Sequence, residues 1–170
     1  ATAVKINAGD FAINGTLVGA SLTTTDTASA WAKDTSAISR AAAINAISAK
    51  TGVTAKANAT EVSGDTTMTV AGAAQSAAGL VINGVSTGSL SFTTSGTIAQ
   101  NRATVVAEIN KISAQTGVVA IDTNDNTKGV QLVAADGRNI SVYQQTGGTL
   151  TAAVTGLNSA FLTAGAAHTN

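Results

Sequence analysis

The chain has 170 residues, of which 44% are hydrophobic and 3% aromatic, and its formal net charge at pH 7 is zero. This charge balance argues against nucleic acid as a partner, because phosphate backbones bind to basic surfaces. The lack of cysteine excludes disulfides and thiolate metal sites, and no apolar run approaches the roughly 18 residues of a membrane-spanning helix.

The first predicted elements are two short strands joined by a tight turn. Residues 11–13 and 17–22 are rich in apolar side chains and lie on either side of Asn14 and Gly15. Asn-Gly is typical of two-residue hairpin turns, because both of its positions accept a positive φ. Ile13 precedes the turn as an apolar strand residue.

A helix is predicted next, from about Asp34 to Thr51. Asp34 is the predicted N-cap, and Gly52 is the predicted C-terminal cap because glycine accepts the left-handed conformation there. Ile44 lies on its apolar face, next to Asn45. The two strands predicted to follow are residues 53–58 and 66–70.

The same order of elements returns about 65 to 70 residues later, which is the mark of an internal repeat. Ile82, Asn83 and Gly84 form the second predicted hairpin turn. A second helix, with Asn101 as its predicted N-cap, carries Ile109 and Asn110 and ends at Gly117. The strands predicted after it are residues 118–122, 130–134 and 139–143.

Asp136 and Gly137 stand between the last two of these strands, and Asp-Gly predicts a third hairpin turn. Each copy is therefore predicted to be a β-β-α-β-β unit, in which one helix covers one face of a short antiparallel sheet. The fold class is α+β, with two related small subdomains. The predicted division is residues 1–72, residues 73–145 and a returning segment, 146–170, for which packing on the first subdomain is one expectation.

The shared residues belong to turns, helix caps and apolar positions. They are Ile13, Asn14, Gly15, Ile44, Asn45 and Gly52 in the first copy, and Ile82, Asn83, Gly84, Ile109, Asn110 and Gly117 in the second. Residues of these types bend and pack the backbone. The duplication therefore predicts a scaffold rather than a reaction centre.

One segment resembles a calcium-binding loop. Asp122, Asn124 and Asn126 place oxygen ligands at alternate positions. Thr127 occupies the position at which such loops have glycine, and Val133 that of the bidentate glutamate. Asn and Asp also suit tight turns, so the pattern leaves open a cation site and a plain turn.

No catalytic residue and no cofactor is predicted. Most of the carboxylates fall in predicted turns, caps or solvent-facing helix positions, so a hydrolase would require the fold to bring two of them together. The sole histidine, His168, stands near the end of the sequence. Chain ends are poor platforms for a preorganised site.

The two blocks resemble the IN motif of bacterial flagellins. That motif begins with an Ile-Asn-Gly turn, as at residues 13–15 and 82–84, and has an Ile-Asn-x-x-Ser-x-x-Thr-Gly-Val helix ending, as at 44–53 and 109–118. It closes with a hairpin of the type of residues 135–140. The first copy departs from the pattern after Val53, where Ser63-Gly64-Asp65 replaces the Ala-Asp-Gly turn.

This resemblance implies the outer, variable region of a flagellin. The expected function is a structural, non-enzymatic one at the extracellular surface of the flagellar filament, in motility and as an antigen. Implied partners are other flagellin subunits, through terminal segments outside this sequence, and host receptors, antibodies or glycans. The chain alone is expected to be a monomer without cofactor or membrane contact.

The same motif occurs in the filament-cap protein, so a different class of function is also open. A cap protein or a surface adhesin would bind a glycan or a host protein. Such a module needs an exposed aromatic side chain or a concave polar patch, and Trp31 is the candidate aromatic.

Overall fold

The structure of the chain, a computed structural model, describes residues 4–77, 79–162 and 168–169, the last pair by their backbone. The described residues form two compact units. Unit 1 contains residues 4–60 and 135–139, and unit 2 contains residues 61–134 together with those from 140 onward. Both combine helices with small sheets, so the predicted α+β class is confirmed.

Unit 1 begins with a hairpin. β1 (Ala12–Ile13) and β2 (Thr16–Leu17) pair antiparallel on either side of Asn14 and Gly15. The φ angles of these two turn residues are 48° and 78°. Both lie in the left-handed region that a two-residue hairpin turn requires, so the predicted turn is confirmed.

The sequence predicts one helix over residues 34–51, and the structure has two: α1 (Ala37–Asn45) and α2 (Ser48–Thr51). The N-cap of α1 is Ser36, whose side chain accepts the N–H of Ser39, and not Asp34. Asp34 lies in a preceding 3₁₀ turn, Lys33–Thr35.

Neither strand predicted after this helix forms. Within residues 53–58 the Asn45 side chain binds the N–H and the C=O of Ala55, and no strand among the described residues pairs with this segment. Within residues 66–70, Met68 donates its N–H to the carbonyl of Asn126, which lies in a loop.

Unit 2 contains most of the strands. They are β3 (Thr60–Val62), which begins at the unit boundary, β4 (Gln75–Ala77), β5 (Leu80–Ile82), β6 (Val85–Ser86), β7 (Leu90–Phe92), β8 (Val119–Asp122), β9 (Val130–Ala134), β10 (Ser141–Gln144) and β11 (His168–Thr169). In the portion of the chain that the structure describes, these strands form three sheets, with the orders β11-β10-β5-β6, β3-β9-β8 and β4-β7. His168 thus lies in a strand, with its backbone opposite Val142.

Within the described part of unit 2 there are three α-helices: α3 (Ile98–Asn110), α4 (Ser113–Thr116) and α5 (Ala152–Thr155). The predicted N-cap of α3, Asn101, is wrong. Thr97 caps the helix in a capping box with Gln100, in which each side chain accepts the other residue's backbone N–H. Two N–H groups at the helix start are satisfied this way, whereas Asn101 is already inside the helix and buried.

The hairpin predicted around Asp136 and Gly137 is also wrong. β9 and β10 belong to different sheets, and β10 pairs with β5 instead. Asn83 fixes that pairing, because its N–H donates to the carbonyl of Ser141 and its Oδ1 accepts the N–H of Ser141. The turn itself exists, with φ of 81° at Gly137, but residues 135–139 belong to unit 1.

The unit boundaries therefore differ from the predicted division at 72/73 and 145/146. Residues 61–72 belong to unit 2, and so do the described residues after 145. Ser159 donates both its N–H and its hydroxyl to the carboxylate of Asp65, and Thr149 donates its N–H to Ser76. Residues 163–167 and 170 of the predicted returning segment lie outside the described residues.

The interiors of the two units contain different kinds of side chain. Unit 2 has a continuous apolar core in which helix, strand and C-terminal side chains meet. Its most enclosed members include Leu80, Ile82, Leu90, Val105, Ile109, Val118, Val130, Leu132, Ile140, Val142 and Leu157. In the described part of unit 1 the buried apolar residues are Val18 and Ala43, and polar residues fill the rest: Ser21, Asp26, Ser29, Ser36, Ser39, Thr51 and Asn139.

Candidate functional site

The asparagine of each hairpin turn makes the same hydrogen bond in both copies. Asn14 Nδ2 donates to the carbonyl of Thr51 over 2.8 Å, and Asn83 Nδ2 donates to the carbonyl of Thr116 over 3.0 Å. The two asparagines have φ of 48° and 49°. Each therefore forms its turn and also ties that turn to the end of the following helix.

The asparagine at the end of each longer helix is also used identically. Asn45 donates Nδ2 to the carbonyl of Ala55 over 2.9 Å and accepts its N–H over 2.7 Å. Asn110 makes the same two bonds to Ala120, over 2.9 and 2.8 Å. A side-chain amide has one donor side and one acceptor side, so it can replace a neighbouring strand for one residue.

The helix ends match as well. Gly52 and Gly117 both have φ of 69°. The hydroxyls of Thr51 and Thr116 each accept the N–H of the residue after that glycine, over 3.2 Å. These paired contacts are all to backbone groups, so the structure uses the repeated polar residues to fix the chain path.

The repeated isoleucines differ between the copies. Ile82 and Ile109 are both 0% exposed in the core of unit 2, whereas Ile13 and Ile44 are only half-buried in unit 1. The apolar part of the motif therefore builds a closed core in the second copy.

The structure does bring the calcium-loop candidates together, but they surround an arginine. Arg102, a buried residue of α3, donates Nε to Asp122 Oδ1 and an Nη to Asn126 Oδ1, each over 2.6 Å, and its other Nη lies 3.5 Å from Asn124 Oδ1. The Arg102 side chain is 4% exposed. A guanidinium supplies the positive charge that these oxygens face, so the loop has an internal cation.

The first copy has neither the arginine nor the aspartate of this arrangement. Ala37 and Ala57 occupy the positions that match Arg102 and Asp122 when the repeats are aligned on their Ile-Asn helix endings. Gly137 approaches the same place in unit 1: a Cβ on it would lie 2.8 Å from Ala57 Cβ and 3.5 Å from Ala37 Cβ. Small residues in the first copy thus leave room for the turn at residues 135–139.

Asn139 anchors that turn in unit 1. Its N–H donates to Ser29 Oγ over 2.9 Å, and its Nδ2 donates to the carbonyl of Ala32 over 2.8 Å and of Trp31 over 3.3 Å. Asp136 and Arg138 form an ion pair of 2.7 Å beside it. The Asp-Gly motif therefore forms a turn that is held inside unit 1.

Two carboxylates of unit 1 have lowered pKa values. Burial raises the pKa of Asp26, but the nearby Ser29 and Ser36 side chains, together with the N–H groups of Ala28 and Ser29 that donate to its Oδ1, outweigh this effect and bring the pKa below its ordinary value. The hydrogen bond from Arg138 lowers the pKa of Asp136. Both groups are held as anions by structural partners.

Unit 2 has a polar cleft of about 380 Å³. It is lined by Ser63, Ile121, Thr123, Asp125, Lys128 and Gln131. Two of its polar side chains have partners already: Asp125 accepts the N–H and hydroxyl of Thr127, which lowers the pKa of Asp125, and Gln131 donates to Glu61. The Asp125 carboxylate therefore stabilises the turn at Thr127.

Other groups suited to chemistry are sparse among the described residues. No group of three or more His, Asp or Glu side chains within them could hold a metal ion. Trp31, in contrast, is 61% exposed. It precedes Ala32, a non-glycine residue with φ of 48°, and that backbone is held by Asn139.

Sequence reasoning missed Arg102 and Asn139. Neither belongs to the repeated residues, and their partners are distant in the chain. One signal was present for Arg102. The second copy has both Arg102 and Asp122 where the first has two alanines, and such a paired difference indicates that the two residues contact each other.

Within residues 4–77 and 79–162, no helix has the length and hydropathy needed to cross a membrane. Protein-family models, when scanned against the chain, give no match. No curated protein matches it significantly either.

Proposed function

We propose that this chain is a structural module, the surface-exposed outer region of a bacterial flagellin. The observation that carries the proposal is the duplicated set of backbone contacts made by Asn14, Asn45, Asn83 and Asn110. The residues that resemble the IN motif are used for chain path and helix ends. A protein whose repeated residues serve its own backbone fits a structural, non-enzymatic role.

On this proposal the module stands on the outside of the filament, where it sets the surface chemistry and is accessible to antibodies. Its neighbours would be other subunits, joined through segments outside this sequence. The weakly charged, Thr- and Ser-rich composition suits a hydrated surface, since only 11% of the residues are charged. The lack of cysteine suits a protein that is exported unfolded.

Immunogold electron microscopy of the source bacterium tests this directly. Antibodies raised against the 170-residue chain should label filaments along their whole length. Label confined to the filament tip would contradict the filament assignment in favour of the cap. Label on the cell body would contradict both.

A second candidate, an adhesive module, is favoured by the exposure of Trp31. An indole that is 61% exposed on a fixed loop is a ready stacking platform for a sugar ring or an apolar ligand. Trp31 is the only tryptophan, so its fluorescence reports binding without labels. Glycan-array binding that is lost in Trp31→Ala, with a Trp31 fluorescence shift on ligand addition, would establish this function; an array without binding would end it.

A further inference from the structure

The outer edge of the first strand differs between the two hairpins: a neighbouring strand pairs with it in unit 2 and not in the described part of unit 1. In unit 1, Val18 donates its N–H to the carbonyl of Phe11, and Ile13 is paired with Thr16. Hydrogen-bonded and non-bonded pairs alternate along an antiparallel ladder, so Phe11 and Ile13 point their backbone groups toward β2. Ala12 between them must point its N–H and C=O away from β2.

The matching edge of unit 2 is covered by a strand. Val81, which corresponds to Ala12, faces Tyr143 of β10. On one side of this pair Asn83 exchanges bonds with Ser141, and on the other Gln145 donates its N–H to Gly79. The chain itself therefore shows what this edge accepts: an antiparallel, extended and uncharged segment.

The edge of β1 has no such cover among the described residues. Among the residues that the structure describes, β1 pairs with β2 alone, and neither the N–H nor the Oδ1 of Asn14 has a partner, in contrast to those of Asn83. Ala12 and Asn14 are exposed. Natural edges are guarded by shortness, lysine, proline or a bulge; β1 is short, but Phe-Ala-Ile offers no lysine, proline or bulge.

We propose that the outer edge of β1 binds an extended polypeptide strand of another protein. The strand would add antiparallel to residues 11–14, as β10 adds to β5, and would be uncharged, as Ser141–Gln144 is. Main-chain hydrogen bonds to Ala12 and to Asn14 give the binding. This inference goes beyond the flagellar role and does not depend on it.

A second copy of the chain fits the edge less well. Two β1 strands paired about Ala12 would place Asn14 of each opposite Asp10 of the other. Asp10 already lies in a turn, with its N–H bonded to the carbonyl of Asn7. Such a pair would be limited to about one step of the ladder, whereas a free strand can follow the whole edge.

An NMR titration of the full chain tests the proposal, with a synthetic peptide of the sequence of residues 139–145 as the probe. The expected result is a saturable shift of the Ala12 and Asn14 amide signals, with slower hydrogen exchange at both. A control peptide with proline in place of Tyr143 lacks the central donor and should leave them unchanged. No shift with the first peptide, or shifts confined to Val81 and Asn83, would overturn the proposal.

Ala12→Pro supplies the matched variant, because it removes one outward N–H. Proline is tolerated on an open edge, so the fold should be retained while peptide binding weakens by about tenfold or more. Val81→Pro, which removes the same group where it faces Tyr143, should destabilise unit 2. An Ala12→Pro variant as unstable as Val81→Pro would contradict an open edge. Self-association by sedimentation that Ala12→Pro abolishes would assign the edge to a second copy instead.

Discussion

A single asparagine in each hairpin turn performs two tasks that normally fall to different residues. Its backbone takes the left-handed conformation at φ of 48° or 49°, and its amide reaches the carbonyl at the end of α2 or α4. Asn83 does more than Asn14, since its Oδ1 also accepts the N–H of Ser141. The asparagine of the second turn is therefore expected to contribute more to the free energy of unfolding than that of the first.

Substitution by glycine separates these tasks, because glycine keeps the positive φ and loses the amide. Asn14→Gly removes one side-chain hydrogen bond and should cost about 1 kcal/mol, whereas Asn83→Gly removes two and should cost about 2 kcal/mol. Denaturant unfolding of both variants measures the difference. Equal losses would mean that the bond to Ser141 contributes nothing.

Gly137 is required by its neighbours as well as by its φ. A Cβ there would lie 2.6 Å from the carbonyl oxygen of Asn58, and φ is +81°. Gly9 is the matched control, with φ of +83° and no atom within 4 Å of the position that a Cβ would take. Gly9→Ala should cost about 1 kcal/mol for backbone strain alone, and Gly137→Ala about 3 kcal/mol. Similar unfolding midpoints for the two variants would refute a close approach at Gly137.

At the scale of elements, α3 and the loop that follows β8 are joined by one buried cation. Arg102 is enclosed, while the side chain of Asp122 remains 36% exposed. Removing either partner leaves the other without its counter-charge, and removing both restores the pair of alanines that the first copy has naturally.

A double-mutant cycle measures this coupling. Asp122→Ala should cost about 2 kcal/mol, because it leaves the buried Arg102 charge without its carboxylate. Arg102→Ala should cost less, because water reaches the Asp122 carboxylate, and the double variant should cost clearly less than the sum of the two. Thermal unfolding of the four proteins gives the coupling energy. Strictly additive losses would show that the ion pair is not the link between α3 and the loop.

Local signals in the sequence predicted the local structure well. The Asn-Gly turns and the glycine caps Gly52 and Gly117 depend on a few neighbouring residues, and they are where they were expected. The partner of β10 could not be predicted in this way. Asp136-Gly137 does make a turn, but two contacts between residues distant in the chain, Asn83 with Ser141 and Asn139 with Ala32, decide where the strands beside it go. The observed N-caps, Ser36 and Thr97, differ from the predicted Asp34 and Asn101, because their side chains accept a backbone N–H of the first helical turn.

At the scale of the whole molecule, the two units rest on different interactions. Unit 2 has a closed apolar core, and unit 1 depends on buried hydroxyl, amide and carboxylate groups. Apolar burial stabilises by roughly 25 cal/mol per Å², whereas each buried hydrogen bond contributes only about 1 kcal/mol net. Unit 1 should therefore unfold more readily, and its stability should depend on pH.

Acid should destabilise unit 1 through Asp26. Its pKa in the folded state lies below the ordinary value of 3.8, so the folded state binds this proton less readily than the unfolded state does. The resulting stability is complete above about pH 4 to 5 and is lost as the pH falls through the folded pKa. Residue-resolved hydrogen exchange as a function of pH follows this loss in unit 1.

Asp26→Asn should flatten the acid dependence of unit 1, although Asp136 retains part of it. Asp34→Asn is the control, because the Asp34 carboxylate accepts no hydrogen bond from any described residue. A steeper acid loss in Asp26→Asn than in the parent chain would mean that Asp26 is not held as an anion in the folded state.

The most direct measurement compares the amide exchange of Ala55 and Ala120 in the parent chain with that in Asn45→Ala and Asn110→Ala. If the repeated residues exist to hold the backbone, both amides are protected in the parent. Each substitution should then accelerate exchange about tenfold at its own partner and leave the equivalent amide in the other copy unchanged. Unprotected amides in the parent chain, or exchange that neither substitution alters, would contradict the account.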